Sequence, residues 1–392
     1  MNQVRSPSFN FYHSSHWLLN PKIHFLNHGS FGATPVTILE YQNELRQRME
    51  LEPVRFLTEE LEGLLDQARR ELAAFLSTDA DDLAFIPNAT AGVNTILRSL
   101  SFKAGDEILI TNHEYNACRN AVEFVANRVG AKVVIARVPF PLKSQEDVIE
   151  AILSKVSKKT KLALLDHVTS PTALIFPIKK LVTELAVRGV DTLVDGAHAP
   201  GFVKLNISLI NPAYYTGNCH KWLCAPKGAA FLYVKKDKQP LIRPLAISHG
   251  ANSPYTDRSR FRLEFDWTGT DDPTPYLCVP EAIKFMGQLL PGGWSELRQK
   301  NHTLAIKARK IICQVLNLPL PCPDEMLGSM ASLPISSVIP DNLLKEQLME
   351  KFNIQIPIIP WHSLILLRLS AQLYNSPQQY EYLAQSLKKI LG

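Results

Sequence analysis

A chain of 392 residues is long enough for two domains and a large buried core, and with 46% apolar and 20% charged residues it has an ordinary globular composition. Its formal net charge of +5 is spread along the chain with no run of five like charges, which argues against nucleic acid or an acidic membrane as partner. The opening stretch MNQVRSPSFNFYHSSHWLLN lacks the apolar core of a signal peptide, and the apolar stretch NIQIPIIPWHSLILLRLS is broken by two prolines, a histidine and an arginine, so it reads as buried strands and no membrane span is expected.

Strands are predicted at DLAFI (82–86), EILIT (107–111), KVVIAR (132–137), KLALLDHV (161–168), DTLVDG (191–196), AYYTG (213–217) and AAFLYV (229–234). Helices are predicted at 58–77, about 90–100, about 117–129, 145–156 and 177–188. Such alternation predicts an α/β fold with a mostly parallel sheet covered on both faces. After about residue 280 the pattern changes to helices at 294–317 and 342–352, strands near 354–368 and a terminal helix at 377–391. The expected organisation is a large domain over 21–280 and a smaller α+β domain over 281–392, with residues 1–20 packed onto it.

In open α/β sheets ligands bind beyond the carboxyl ends of the strands. DLAFI is followed by Pro87-Asn88-Ala89-Thr90-Ala91-Gly92-Val93-Asn94, which either cradles an anion at a helix start or is simply capped by Asn88 or Thr90. No GxGxxG or GxxxxGK[ST] occurs, so a dinucleotide or P-loop site has no support. EILIT leads into Asn112-His113-Glu114-Tyr115-Asn116-Ala117, where a ring could stack on a flat ligand or merely rim a capped helix. KLALLDHV leads into Thr169-Ser170-Pro171-Thr172, either hydroxyls for a polar ligand edge or a Ser-Pro turn. DTLV ends on Asp195, a poorly hydrated carboxylate that wants a cation or else caps the next turn. AYYTG leads into Asn218, His220 and Lys221, and Lys221 is either a loop lysine lying over apolar surface or an amine kept dry to act as a nucleophile.

An anion cradle, a stacking ring, hydroxyls, a carboxylate and a lysine in this order suit one ligand. Pyridoxal 5′-phosphate has a phosphate, a flat ring, a phenolic oxygen, a pyridine nitrogen and an aldehyde that condenses with a lysine.

The six cysteines form no CxxC, so neither a zinc site nor a disulfide framework is expected, and reduced thiols in a cytoplasmic setting are the default. The sequons at Asn88, Asn206 and Asn301 are set aside on the same ground. His13 and His16 are one helical turn apart without a carboxylate or third ligand, so no metal is expected.

Nine stretches carry a resemblance: LNHGSFGATP (26–35), EPVRFL (52–57), NATAGVN (88–94), NHEYNA (112–117), HVTSPT (167–172), VDGAHAPG (194–201), GNCHKW (217–222), WTGTDDP (267–273) and RLSAQLYN (368–375). On these the chain resembles the class V aminotransferase-like enzymes that use pyridoxal 5′-phosphate, in the branch containing isopenicillin N epimerase. The resemblance implies fold type I, with a mostly parallel seven-stranded sheet between helices and a smaller α+β domain. It implies that Lys221 joins the cofactor aldehyde and Asp195 pairs with the ring nitrogen. Tyr115 would stack on the ring, with His113 as the alternative. Ala89, Thr90, Asn218 (where relatives often carry serine) and His220 would hold the phosphate. Ser170 and His198 would lie near the phenolic oxygen, His198 replacing the glutamine common in the cysteine desulfurase branch. Arg368 would bind the substrate carboxylate, with Asn27, His28 and Gly29 lining the pocket. Gly269 and Thr270 would reach a phosphate in the other subunit of a homodimer.

The reaction expected from the resemblance is removal of the Cα proton of an amino-acid-like substrate, with an epimerase or racemase outcome. A cysteine or cystine C–S lyase is the runner-up and an aminotransferase the third. A persulfide-forming desulfurase is disfavoured because NIQIPIIPWHSLILLR contains no cysteine. A protein that binds the cofactor without catalysis is the reading from a different class, and Lys221, Asp195 and Arg368 argue against it.

Overall fold

The computed structural model describes residues 13–336 and 339–391. Its strands in chain order are β1 (His24–Phe25), β2 (Leu83–Ile86), β3 (Glu107–Thr111), β4 (Lys132–Ala136), β5 (Thr160–Asp166), β6 (Asp191–Asp195) and β7 (Tyr214–Asn218). They continue as β8 (Ala230–Val234), β9 (Met330–Ile335), β10 (Ile354–Gln355), β11 (Ile358–Trp361) and β12 (Leu364–Ser370).

Seven of these form one sheet in the order β2-β8-β7-β6-β5-β3-β4. All its pairs are parallel except those of β8, which runs antiparallel to both β2 and β7. This is the expected mostly parallel α/β sheet of fold type I. Side chains alternate across it with period two. Ile108, Ile110, Leu162 and Leu164 enter one apolar core with Val93, Ile96 and Val122. Leu109, Ala163 and Leu165 enter the other with Leu65, Leu72, Val148 and Leu181. Burial on both faces explains why these strands read as nearly unbroken apolar runs.

The second sheet is antiparallel, in the order β11-β12-β9, with helices Gly293–Leu316 and Pro377–Leu391 packed together beside it. The larger core is continuous into it through Leu333, Leu366 and Leu369. β1 pairs with β10, so the early chain is anchored to the late chain. The expected packing of residues 1–20 falls partly outside the described residues; within them, Trp17 sits with Cys224, Leu297 and Tyr374.

Some elements differ from expectation. The helix expected from 58 is preceded by one wider turn, Phe56–Glu60, and its α-helical part is Leu61–Leu76. β5 stops at Asp166, because His167 and Val168 turn into the loop that carries Ser170. Helix Val36–Leu51 gives a weak pattern because its buried stripe includes Gln42, whose amide donates to Thr274 Oγ1 at 3.1 Å. Helices Thr274–Leu277 and Val279–Gln288 are masked by prolines at their first turns, where no helical N–H is lost. β9 is hidden by Pro334, which sits opposite Leu366 in the ladder.

Candidate active site

β5 and β6 end in register, with Asp166 opposite Asp195, and Asp195 lies opposite Thr216 near the end of β7. This brings the loops after them to one edge. Asp195 is 3% exposed. Its Oδ1 accepts from the Ala197 N–H at 2.9 Å and its Oδ2 from the Cys118 thiol at 3.2 Å. Glu114 and Cys118 lie close by, their donor atoms and those of Asp195 all within 4.8 Å of one another. Burial first, and then the neighbouring carboxylates, push the Glu114 and Asp166 carboxyls well up, while burial alone raises that of Asp195. No basic group is ion-paired to any of the three among the described residues. Glu114 Oε2 and Asp166 Oδ2 are buried without a hydrogen-bond partner.

Lys221 follows β7. Its Nζ lies 3.2 Å from His198 Nε2, and the Trp222 indole donates to His198 Nδ1 at 3.3 Å. The Lys221 amine is pushed down to about 8, chiefly by burial and then by the Arg368 charge, against the pull of Asp195. The loop is held from beneath. His28 Nε2 meets the Lys221 carbonyl at 3.0 Å and His28 Nδ1 the Tyr374 hydroxyl at 2.7 Å. Gly32 has φ +70, and a Cβ there would stand 2.1 Å from the His220 carbonyl oxygen and 2.9 Å from Lys221 Cα. Only glycine fits both the conformation and the approach.

Helix Ala89–Ser99 begins beside this loop. Asn218 Oδ1 accepts from the Ala89 N–H at 2.8 Å, and Asn88 caps the Ala91 N–H at 2.9 Å. Thr90 lies between them, half-buried. His220 Nδ1 is 3.0 Å from the Ala229 carbonyl, which only accepts, so this nitrogen carries the proton.

Arg368 is on β12, opposite Ser332, and 4% exposed. Its Nη1 donates to the Ser170 carbonyl at 2.6 Å and the Ser170 hydroxyl at 3.1 Å, and its Nη2 to Ser30 Oγ at 3.0 Å. Ser30 in turn donates to Asn27 Oδ1 at 2.5 Å. Arg368 has no carboxylate partner among the described residues, and its Nε is buried without a partner.

Lys221, His198, Asp195, Arg368, Ser170 and Asn27 therefore gather at one edge, with Ala89, Thr90, Asn218 and His220 around the helix start. Ser170 differs from expectation, since both its oxygens face Arg368. His28 and Gly29 lie one layer beneath the pocket: both His28 ring nitrogens are engaged, and Gly29 is packed against Met330 and Ser370. Tyr115 is 47% exposed. His113 is built into the wall instead, bonded to Thr172 Oγ1 at 2.7 Å and ringed by Phe176 and Trp361. Gly269 and Thr270 are exposed, and Gly269 lines a cavity of ≈ 230 Å³ with Pro87, Ala91 and Thr95. Ser30, Cys118, Trp222 and Tyr374 escaped the sequence reading as site residues. Trp222 had a signal, since it is an indole beside the lysine.

The donor set fits pyridoxal 5′-phosphate. Among the described residues it has an amine without an acid in hydrogen-bond reach, a buried carboxylate without an ion-paired cation, a helix start with polar side chains, and a buried guanidinium without a carboxylate partner.

The family pattern described as aminotransferase class V matches residues 33–357. Isopenicillin N epimerase of Amycolatopsis lactamdurans is 34% identical over 386 residues, 95% of this chain and 96% of that protein. An Arabidopsis thaliana protein named "Probable L-cysteine desulfhydrase, chloroplastic" is 29% identical over 405 residues, 95% of this chain and 84% of that protein. Among solved structures, the cystine C–S lyase C-DES with cysteine persulfide superposes with a TM-score of 0.80 at 21% identity, covering 94% of this chain and 98% of that one. This chain belongs to the class V aminotransferase family of pyridoxal 5′-phosphate enzymes.

Proposed function

We propose that this enzyme removes the proton from Cα of an amino-acid-like substrate and returns a proton there, so that the outcome is epimerisation or racemisation. The observation that carries this reading is one pocket holding both the Lys221 amine and Arg368, a buried cation with no carboxylate of its own among the described residues. The epimerase relative, 34% identical across nearly the full chain, favours this outcome.

When bound, the cofactor supplies an aldehyde for an amine and a ring that takes up the electron pair left at Cα. Lys221 would provide that amine and would also be the base that moves the Cα proton. Asp195 holds the ring nitrogen. Arg368 grips the substrate carboxylate with its planar fork, aimed by Ser30 and Ser170, and so fixes which Cα bond faces Lys221. His198 donates toward the phenolic oxygen. Ala89, Thr90, Asn218 and His220 would hold the phosphate, and Tyr115 would stack on the ring. Asn27 acts through Ser30. Gly269 and Thr270 remain open to a partner's phosphate in a homodimer. Six free cysteines suit a reducing, cytoplasmic setting. No helix among the described residues is long and apolar enough to cross a membrane.

A second reading is β-elimination from a cysteine-like substrate, favoured by the relative named as a desulfhydrase. Persulfide transfer through a cysteine is disfavoured because all six thiols are buried, and an acceptor thiol must reach substrate. The test is proton NMR of the loaded enzyme in heavy water with L-amino acids, cystine included. Loss of a Cα proton signal with loss of optical purity supports epimerisation. Appearance of pyruvate moves the assignment to the lyase. Exchange nowhere in the panel overturns Cα proton removal from free amino acids.

A further inference from the structure

The indole of Trp222 has one hydrogen-bonding capacity, donation from its N–H. That N–H is aimed at His198 Nδ1. An acceptor nitrogen carries no proton, so a neutral His198 keeps its proton on Nε2. The Nε2–H then faces Lys221 Nζ across 3.2 Å. It needs a lone pair there, and of the two forms of lysine only the free amine has one. An ammonium would set N–H against N–H.

We propose that Trp222 is a positioning residue that fixes the tautomer of His198 and thereby shifts Lys221 toward the free amine that attacks the cofactor aldehyde. The last clause rests on the reading of Lys221 given above; the tautomer itself does not. Attack of the amine on the aldehyde carbon releases one water and transfers no electrons.

The surroundings leave His198 little alternative. Trp222 and His198 are 1% and 2% exposed. The indole is clamped between the Phe202 ring at 5.0 Å and the His28 ring at 4.8 Å. Gly201, with φ +83, brings the backbone against the Trp222 carbonyl so closely that a Cβ would stand 2.6 Å from it. The groups facing His198 are Lys221, Arg368, His220 and His28, none of them acidic, and with burial they hold its pKa well below the usual value. Those facing Lys221 are Arg368 on one side and Asp195, Asp166 and Cys118 on the other. The acids favour an ammonium, which burial and the Arg368 charge oppose, and a hydrogen-bond donor beside the amine is a further device against it. Next to Lys221 the Trp222–His198 pair supplies one that involves no net charge.

The test uses the full chain stripped of cofactor and labelled with nitrogen-15 at histidine. Long-range proton–nitrogen correlation reads the tautomer, with His198 assigned by the signal lost in His198→Gln. The expected result is a neutral Nε2–H ring in the wild type at neutral pH. In Trp222→Phe, which keeps a ring and removes the donor, the signal should move toward a tautomer mixture. The pH at which borohydride-trappable pyridoxal 5′-phosphate loading reaches half its maximal rate should rise by about one unit. An Nδ1–H ring or an imidazolium in the wild type overturns the proposal, and this readout stands even if Trp222→Phe fails to fold. An unchanged tautomer in Trp222→Phe also overturns it. A changed tautomer with an unchanged loading profile overturns the link to Lys221 alone and leaves the assignment of Lys221 as the cofactor amine untouched.

Discussion

His28 donates from Nε2 to the carbonyl oxygen of Lys221 across 3.0 Å. A carbonyl only accepts, so the other ring nitrogen has the lone pair, and Tyr374 donates to it at 2.7 Å. Burial pushes His28 down to about 3, which keeps this neutral form across the working range. Three residues far apart in sequence thereby fix the backbone that carries the amine.

Replacing His28 by leucine should leave the Lys221 carbonyl and the Tyr374 hydroxyl buried and unpaired. The expected loss is about 2–4 kcal/mol of stability, with slower cofactor loading. Urea unfolding at neutral pH measures the first. A loss under 1 kcal/mol would mean that water or another group replaces the ring.

Burying the Lys221 amine opposes folding, because its charged form loses water there. Its amine titrates near 8 in the fold against 10.5 for an ordinary lysine. Between those values the unfolded chain holds a proton that the folded chain has released, so stability rises with pH across that window and the deficit is complete below about 8. Lys221→Met should therefore stabilise the cofactor-free protein at pH 7 by on the order of 2 kcal/mol, allowing for solvent screening at this half-buried position. The gain should shrink above pH 8. Paired unfolding curves at pH 7 and pH 10 check this, and equal stability of the two proteins at pH 7 would contradict it.

Arg368→Lys keeps the charge but cannot span Ser30 and Ser170 as the guanidinium does. KM for amino-acid substrates should rise roughly 10- to 100-fold, in line with loss of a charged hydrogen bond. Steady-state kinetics on any accepted substrate decides. An unchanged KM would mean the carboxylate is held elsewhere.

Glu114 and Asp166 are carboxyls pushed well up, so the folded chain keeps protons that the unfolded chain loses above about pH 4. Their contribution to stability is full in acid and falls as pH rises toward their folded values. Glu114→Gln should flatten the decline of stability between pH 5 and pH 8 in the cofactor-free protein. A slope identical to the wild type would mean that Glu114 is ionised in the fold.

The parts of this site legible in the sequence are those where one residue breaks a local pattern. Asp195 ends an apolar strand, Lys221 stands between a histidine and a tryptophan, and Arg368 interrupts LILLRLS. The sheet was legible because fully buried strands are nearly unbroken apolar runs. Partnerships were not. Ser30 meets Arg368 across 338 positions and His28 meets Tyr374 across 346, and no local spacing encodes either. Cys118 carries no local signal, and only the fold brings Asp195 of β6 against it. His28 and Gly29 are placed beneath the Lys221 loop, a layer that position along the chain does not encode.

The stretch from Asn27 to Thr34 touches each pole of the pocket. His28 and Gly32 support the Lys221 loop, while Ser30, steadied by Asn27, steers Arg368. This ribbon works as a ruler between amine and guanidinium: its length sets how far apart Lys221 and Arg368 are held. Inserting or deleting one residue here would therefore mis-space the site while leaving every catalytic side chain in place.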